Sequence, residues 1–173
     1  MSDYAYAVEP TSDGGYVIAG NSQSNDGNVA GNHGQSDVWV VKLDSDSDVL
    51  WKKAFGGSGS EGAHAIKQTS DNGFIIAGYT SSNDGDVSGN NGGRDFWLLK
   101  LDSNGSISWQ TAAGGNSNEV AYSVEQTTDG GYIAMGYTVT TAGDVAGNHG
   151  ETDSWVVKFD ESGNILWQNC LGG

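Results

Sequence analysis

The sequence is poor in cysteine and in basic residues, and each shortage excludes a class of protein. A single cysteine, Cys170, cannot form an internal disulfide framework. Lysine and arginine together number 7 against 22 acidic residues, so the formal net charge is -15. A field of that sign repels nucleic acids and anionic membrane surfaces. We therefore expect neither as a partner.

Long apolar runs and proline are also scarce. No segment approaches the roughly 18 apolar residues that cross a bilayer, and the N-terminus lacks the charged and apolar regions of a signal peptide. One proline stands against 28 glycines, and serine, asparagine and aspartate are abundant. This composition is typical of short strands joined by many turns, and it predicts an all-β protein without helices.

An internal repeat is present instead. Near-copies of one motif begin at Asp37, Asp95 and Asp153, and their tryptophans lie 58 residues apart. A fixed period of this size is typical of arrays, propellers and solenoids. We predict one domain, residues 1–173, made of three units at about 5–62, 63–120 and 121–173.

Each unit contains four segments with the character of a strand. The first alternates small residues, which predicts that Ala5 and Ala7 lie on one face. An Asp-Gly-Gly-like turn follows, and the second and third segments are apolar on both faces, as in strands that are buried on both sides. A long polar loop joins these two, and a second tight turn leads to a fourth segment that carries tryptophan. In unit one that turn has Ser47 where the others have glycine, which predicts strain.

Four antiparallel strands with two apolar faces need a neighbouring sheet on each side. Radial stacking in a β-propeller supplies such neighbours, and the small residues of the first strand suit its crowded axis. We therefore predict three four-stranded propeller blades. The remaining alternative is a monomer with threefold symmetry, a β-trefoil or a β-prism.

The order of the segments resembles kelch-type propeller blades. An alanine-containing inner strand is followed by a Tyr-Ile-Ala-Gly-like strand, an aromatic third strand and a fourth strand with tryptophan, although Ala19, Ala77 and Met135 replace the first of the paired kelch glycines. The units are also similar to tandem Asp-Gly-Gly-Tyr repeats of bacterial and archaeal surface proteins, which carry no assigned catalytic residues. This resemblance implies an extracellular or cell-surface parent protein, whose signal is absent from this chain.

Known propellers have at least about four blades, so three cannot close a ring. We expect two chains to join head to tail as a homodimer with six blades. The function that follows is a non-catalytic scaffold or assembly unit. The alternative is an extracellular module that binds a glycan or a protein through its long-loop face, with calcium as a stabilising ion.

The sharpest local motif is an EF-hand-like spacing of oxygen side chains in unit two. Its candidate calcium ligands are Asp84, Asp86, Ser88 and Asp95, at positions 1, 3, 5 and 12 of such a loop. The copies are degenerate, because unit one has Asn28 and Ala30 where unit two has Asp86 and Ser88. Asx turns that cap the third strand explain the same residues.

Four further side chains are candidates for ligand binding. Tyr79 and Tyr137 stand at the mouth of the long loop, and His33 and His149 occupy equivalent positions within it, so these four are the candidate ligand-binding residues. The repeated tryptophans suit packing between sheets. No serine has the setting of a nucleophile elbow and no His and Asp pair has a distinctive spacing, so we expect no enzyme.

Overall fold

The computed structural model describes residues 1–27, 29 and 31–173. In that part of the chain, three four-stranded antiparallel sheets follow one another, and each is made of four consecutive strands. The strands of sheet one are β1 (Asp3–Pro10), β2 (Tyr16–Ser22), β3 (Asp37–Leu43) and β4 (Val49–Phe55). Those of sheet two are β5 (Glu61–Gln68), β6 (Phe74–Thr80), β7 (Asp95–Leu101) and β8 (Ile107–Ala113). Those of sheet three are β9 (Glu119–Gln126), β10 (Tyr132–Thr138), β11 (Asp153–Phe159) and β12 (Ile165–Leu171).

The prediction of an all-β tandem repeat with four strands per unit is confirmed. None of the described residues belongs to a helix long and apolar enough to span a membrane. The long loops and the links between units lie at one end of the strands of every sheet, and the tight turns lie at the opposite end. We call these two ends the loop side and the turn side.

The tight turns form because their side chains bond the local backbone. In the first turn of unit one, the Asp13 carboxylate accepts a hydrogen bond from the Gly15 amide at 3.0 Å and lies 2.9 Å from the buried Lys42 ammonium. The second turn contains Ser47 at φ 71°, where the equivalent Gly105 has φ 74°. The expected strain is therefore present, because a side chain at this φ crowds its own backbone.

The sheets stack in chain order. Strand β5 packs against three strands of sheet one, and β9 packs against three strands of sheet two. We call the interface between two stacked sheets a seam, and one apolar core lies at each seam. Val17 and Val40 meet Ile66 and Leu99 at the first seam, and their equivalents meet at the second. Across the described residues, sheets one and three share no seam of this kind. The arrangement therefore differs from a closed threefold monomer, which would need three equivalent seams.

A bulge in the first strand of every unit corrects one prediction. The pairing shifts between Ala63 and Ala65, so that His64 is an extra residue opposite β6. Ala63 consequently lies in the core shared with sheet one, while Ala65 packs against the core shared with sheet three. The expectation that these alternating small residues share one face was wrong, because one inserted residue reverses the faces beyond it.

Candidate functional site

The two candidate histidines are bound to the start of the third strand. His33 Nδ1 lies 2.7 Å from Asp37 Oδ2, and His149 Nδ1 lies 2.9 Å from Asp153 Oδ2. The backbone amide of each histidine bonds the same carboxylate oxygen. The rings are exposed, but one nitrogen of each is engaged in closing the long loop. Their described contacts are therefore those of structural caps.

The candidate calcium ligands of unit two are each engaged by a protein donor. Asp84 Oδ1 accepts from the Ser58 amide at 2.8 Å, and Asp86 Oδ2 accepts from the Gly56 amide at 3.2 Å. Ser88 Oγ lies 2.7 Å from Gln110 Nε2, and Asp95 Oδ2 accepts from the Asn91 amide at 2.9 Å. Only the bond between Asn91 and Asp95 is local, as expected for a cap on the third strand. Asp84 and Asp86 instead fasten the long loop to the link between β4 and β5.

The same part of the chain offers no preformed ligand cluster for a metal. Among the residues that the structure describes, no group of three or more His, Cys, Asp or Glu side chains could hold a metal ion. The degenerate copies at Asn28 and Ala30 lie outside the described residues. Calcium binding by unit two stays a prediction.

Each seam contains a pair of buried acids on the loop side. Asp37 and Glu61 are fully buried at the first seam, as are Asp95 and Glu119 at the second. Glu119 Oε2 accepts from the Gly115 amide at 2.8 Å and its Oε1 accepts from a threonine hydroxyl at 3.0 Å. Sequence reasoning did not identify these two glutamates, although their separation by one repeat period indicated a shared role.

The electrostatic environment of the third-strand aspartate differs among the units. Burial raises the pKa of Asp95 to about 6, and the nearby Glu119 and Asp144 carboxylates add to the shift. Burial also raises the pKa of Asp37, but its hydrogen bonds with His33 oppose this effect. In unit three the bond from His149 holds the pKa of Asp153 below its usual value. Asp95 has no such histidine beside it, because Asn91 occupies the position of His33 and His149 in unit two.

The bulges also gather aromatic side chains in one row along the first strands of the three sheets. Tyr6, His64 and Tyr122 are the bulge residues of the three units, and their ring centroids are 5.5 and 5.1 Å apart in turn. Tyr79 lies 5.9 Å from His64, and Tyr137 lies 6.0 Å from Tyr122. We call these five side chains the aromatic row. It contains two candidate ligand-binding residues, Tyr79 and Tyr137, and neither candidate histidine.

A single cation contacts the aromatic row in the described part of the chain. The guanidinium carbon of Arg94 lies 4.4 Å from the centroid of the Tyr79 ring. Burial lowers the pKa of His64, and the positive charge of Arg94 lowers it further. His64 therefore joins the row as a neutral ring at pH 7.

Four tryptophans pack between sheets, as predicted. Trp97 and Trp155 are buried, and each indole nitrogen donates to a glutamine of its own sheet, at 2.8 and 2.7 Å. Trp51 of β4 packs edge-on against Phe74 of the next sheet, with centroids 5.8 Å apart. Trp109 packs in the same way against Tyr132. Their equivalent in the last unit, Trp167, is 49% exposed.

The outward faces of sheets one and three carry apolar side chains that are covered elsewhere in the repeat. Val8 on sheet one is 64% exposed, whereas the equivalent Ile66 is 2% exposed beneath the preceding sheet. Met135 on sheet three is 51% exposed, whereas the equivalent Ala77 is fully buried beneath the following sheet. The two end faces therefore correspond to the two complementary halves of one seam.

An open cavity of about 430 Å³ lies on the turn side between sheets two and three. Its lining includes Trp109, Tyr132, Lys100 and Asp71. The pKa of Asp71 is lowered to about 2 in spite of its partial burial, because Lys100 and Thr69 bond its carboxylate. An acid that stays ionised in an ion pair is a poor proton donor at neutral pH.

Comparison with known proteins adds no relative. No family model matches the chain, and no curated protein matches it.

Proposed function

We propose that this protein is a non-catalytic scaffold unit that completes a ring by joining a second copy of itself head to tail. The observation that carries the proposal is the pair of complementary end faces. Sheet three presents Ile133, Met135 and Val156 where sheets one and two present residues of a closed core. The outward face of sheet one carries the equivalents of those side chains of sheets two and three that pack against the preceding sheet.

Continuity with the internal seams argues for a second copy as the occupant. Tyr16 is 42% exposed, whereas its equivalent Phe74 is 1% exposed and packs against Trp51. Trp167 is the equivalent of Trp51, so a head-to-tail contact would bring Trp167 of one copy against Tyr16 of the next. Large unpaired apolar patches of this kind are rare on soluble monomers.

Ring closure follows from the propeller interpretation. Two chains of three sheets supply six blades, which lies within the range of about four to eight that propellers use. The inner strands β1, β5 and β9 contact one another in succession, as blades around an axis would. A scaffold role also suits the chemistry of the described acids, because Asp95, whose pKa is raised to about 6, is buried away from any substrate.

The proposal is tested by the mass of the protein in solution. We expect light scattering to give twice the 18.0 kDa of one chain at micromolar concentration or above. Val8→Asp and Met135→Asp place a charge on opposite end faces, and either should return the protein to the monomer, because a buried unpaired charge is costly. The combined variant should also be a monomer.

The matched control is Ser103→Glu, which adds the same charge on the turn side, where unit three already has Glu161. This variant should keep the mass of the parent. A monomeric parent at all concentrations, or an assembly that survives both aspartate variants, would refute head-to-tail association. An open filament whose length grows with concentration would retain the contact but exclude the closed ring.

A further inference from the structure

The aromatic row binds one of the chain's own cations in unit two. Arg94 is the only arginine of the sequence, and its guanidinium lies against the face of Tyr79 at 4.4 Å. A cation in this position is attracted by the negative face of the ring. The contact shows what kind of group this part of the fold accommodates.

Unit three has the aromatic residues of this contact without the cation. Tyr137 is the repeat equivalent of Tyr79, and the equivalent of Arg94 is Thr152. The preceding residue changes as well, from Gly93 in unit two to Glu151 in unit three. At these two positions the sequence therefore changes from one positive side chain to one negative side chain.

We propose that unit three binds an organic cation, a guanidinium or an alkylated ammonium group, against Tyr137 and Tyr122. Tyr122 offers a second ring, 6.0 Å from that of Tyr137, and is 54% exposed. Adjoining aromatic faces are a feature by which proteins recognise such cations. In unit three the cation over the tyrosine ring would come from a ligand, whereas in unit two it is the guanidinium of Arg94.

The charges around the site act in both directions. Arg94 is close enough to oppose the rise in the pKa of Tyr137 that burial and Tyr122 produce, so it also opposes a second cation. Glu119 acts on the same tyrosine with the opposite sign. The net charge of -15 favours cations over anions at longer range.

Head-to-tail stacking would bring Tyr6 of the next copy against Tyr122, as Tyr6 packs against His64, but would leave the position over Tyr137 open. Arg94 remains exposed although sheet three follows sheet two. A second copy placed on sheet three in the same way would leave the equivalent position of Thr152 exposed. The cation site and the proposed assembly can therefore be tested independently.

The test is an NMR titration of tyrosine ring signals with two probes, tetramethylammonium chloride and N-acetylarginine amide. We expect saturable shifts of the Tyr137 and Tyr122 signals with dissociation constants in about the millimolar range, as suits one exposed cation–π site. Tighter binding of tetramethylammonium indicates a free quaternary ammonium ligand, and tighter binding of the arginine probe indicates a side chain of a partner peptide. Equal shifts with sodium chloride at the same ionic strength would overturn the proposal.

Variants of the repeat itself supply the controls. Thr152→Arg gives unit three the cation that unit two has, and it should weaken binding of either probe by about tenfold or more through competition for Tyr137. Ser103→Arg adds the same charge at an exposed position on the turn side, away from Tyr137, and should change affinity by less than about twofold. Equal losses in these two variants would show a general charge effect and overturn the site.

The ring itself is tested by a second pair of variants. Tyr137→Phe keeps the aromatic face and should retain binding, whereas Tyr137→Leu should lose it by about tenfold. Both leave Trp155 and the seam core in place, and their circular dichroism should match the parent. Undiminished binding by a folded Tyr137→Leu protein would refute the proposal.

Discussion

Ser47 has a left-handed backbone conformation, and the two equivalent positions with this conformation are occupied by glycine. Its φ of 71° compares with 74° at Gly105 and 82° at Gly163. We predict that Ser47→Gly stabilises the protein by about 0.5 kcal/mol, because the relief of left-handed strain exceeds the extra backbone entropy of glycine. Urea unfolding monitored by tryptophan fluorescence measures the change.

The reverse substitution supplies the control for Ser47→Gly. A Cβ at Gly105 would lie 3.0 Å from the Trp51 ring, so Gly105→Ser should destabilise the protein by more than Ser47→Gly stabilises it. Asn72, at φ 62°, should gain less than Ser47 when changed to glycine, because asparagine tolerates this region. A Ser47→Gly protein that is less stable than the parent would contradict the argument.

Asp95 gives the protein a pH dependence of defined sign. Its folded pKa of about 6 lies above the unfolded value of 3.8, so the folded state binds the proton more tightly. This group therefore makes the protein less stable as pH rises from about 4 through 6, and the penalty is fully present above 6. We predict that the free energy of unfolding increases when pH falls from 7 to 5.

Asn91→His tests the origin of that dependence. Histidine at this position should bond Asp95 as His33 and His149 bond their aspartates, and so lower its pKa. We predict a gain on the order of 1 kcal/mol at pH 7, and a flatter profile between pH 5 and 7. Urea unfolding at both pH values measures it. An unchanged slope would assign the dependence to other groups.

At the scale of the strand, the tryptophans of β4, β8 and β12 differ in whether a following sheet covers them. Trp51 and Trp109 pack on an aromatic residue of the following sheet, and Trp167 ends the array. We predict that Trp51→Ala and Trp109→Ala each cost about 2 kcal/mol of stability in the dilute monomer, whereas Trp167→Ala costs less than about 1. Denaturant unfolding at nanomolar concentration measures all three, and equal losses would refute the seam assignment.

The strands, turns and repeat order could be predicted because each depends on local sequence. The turn that contains Asp13 follows from residues within a few positions of it, and the 58-residue interval aligned the three units. The bulge at His64 could not be predicted, because it is defined by pairing with β6. The contact of Arg94 with Tyr79 and the burial of Glu119 also depend on how distant segments converge.

At the scale of the whole molecule, the proposed contact between copies is weaker than the internal seams. Lys67 lies between Glu9 and Glu125 on the inner strands, 3.4 and 3.3 Å from their carboxylates. A head-to-tail contact would place Glu125 of one copy near Glu9 of the next, with like charges. Pro10 also replaces the glutamine that accepts a hydrogen bond across each internal seam, such as Gln68 from Ser12. Association should therefore be reversible.

This repulsion predicts that salt strengthens the assembly. Raising sodium chloride from about 0.05 to 0.5 M should tighten association several-fold, since it screens the two glutamates and the net charge of -15. Glu9→Gln should tighten it in low salt and reduce the salt effect. Sedimentation equilibrium measures both. Association that weakens with salt would show that attractive charge pairs, not apolar faces, hold the copies together.

The regular spacing of the units, with no insertion between equivalent positions, bears on how such a protein changes over generations. Duplication or loss of 58 codons in frame adds or removes one complete sheet, and the sheets on either side of the event still fit each other. Unequal recombination between neighbouring copies can therefore lengthen or shorten the array in a single step and still leave a foldable product. The units can then diverge separately, and the equivalent positions Ser36, Arg94 and Thr152 show such a difference.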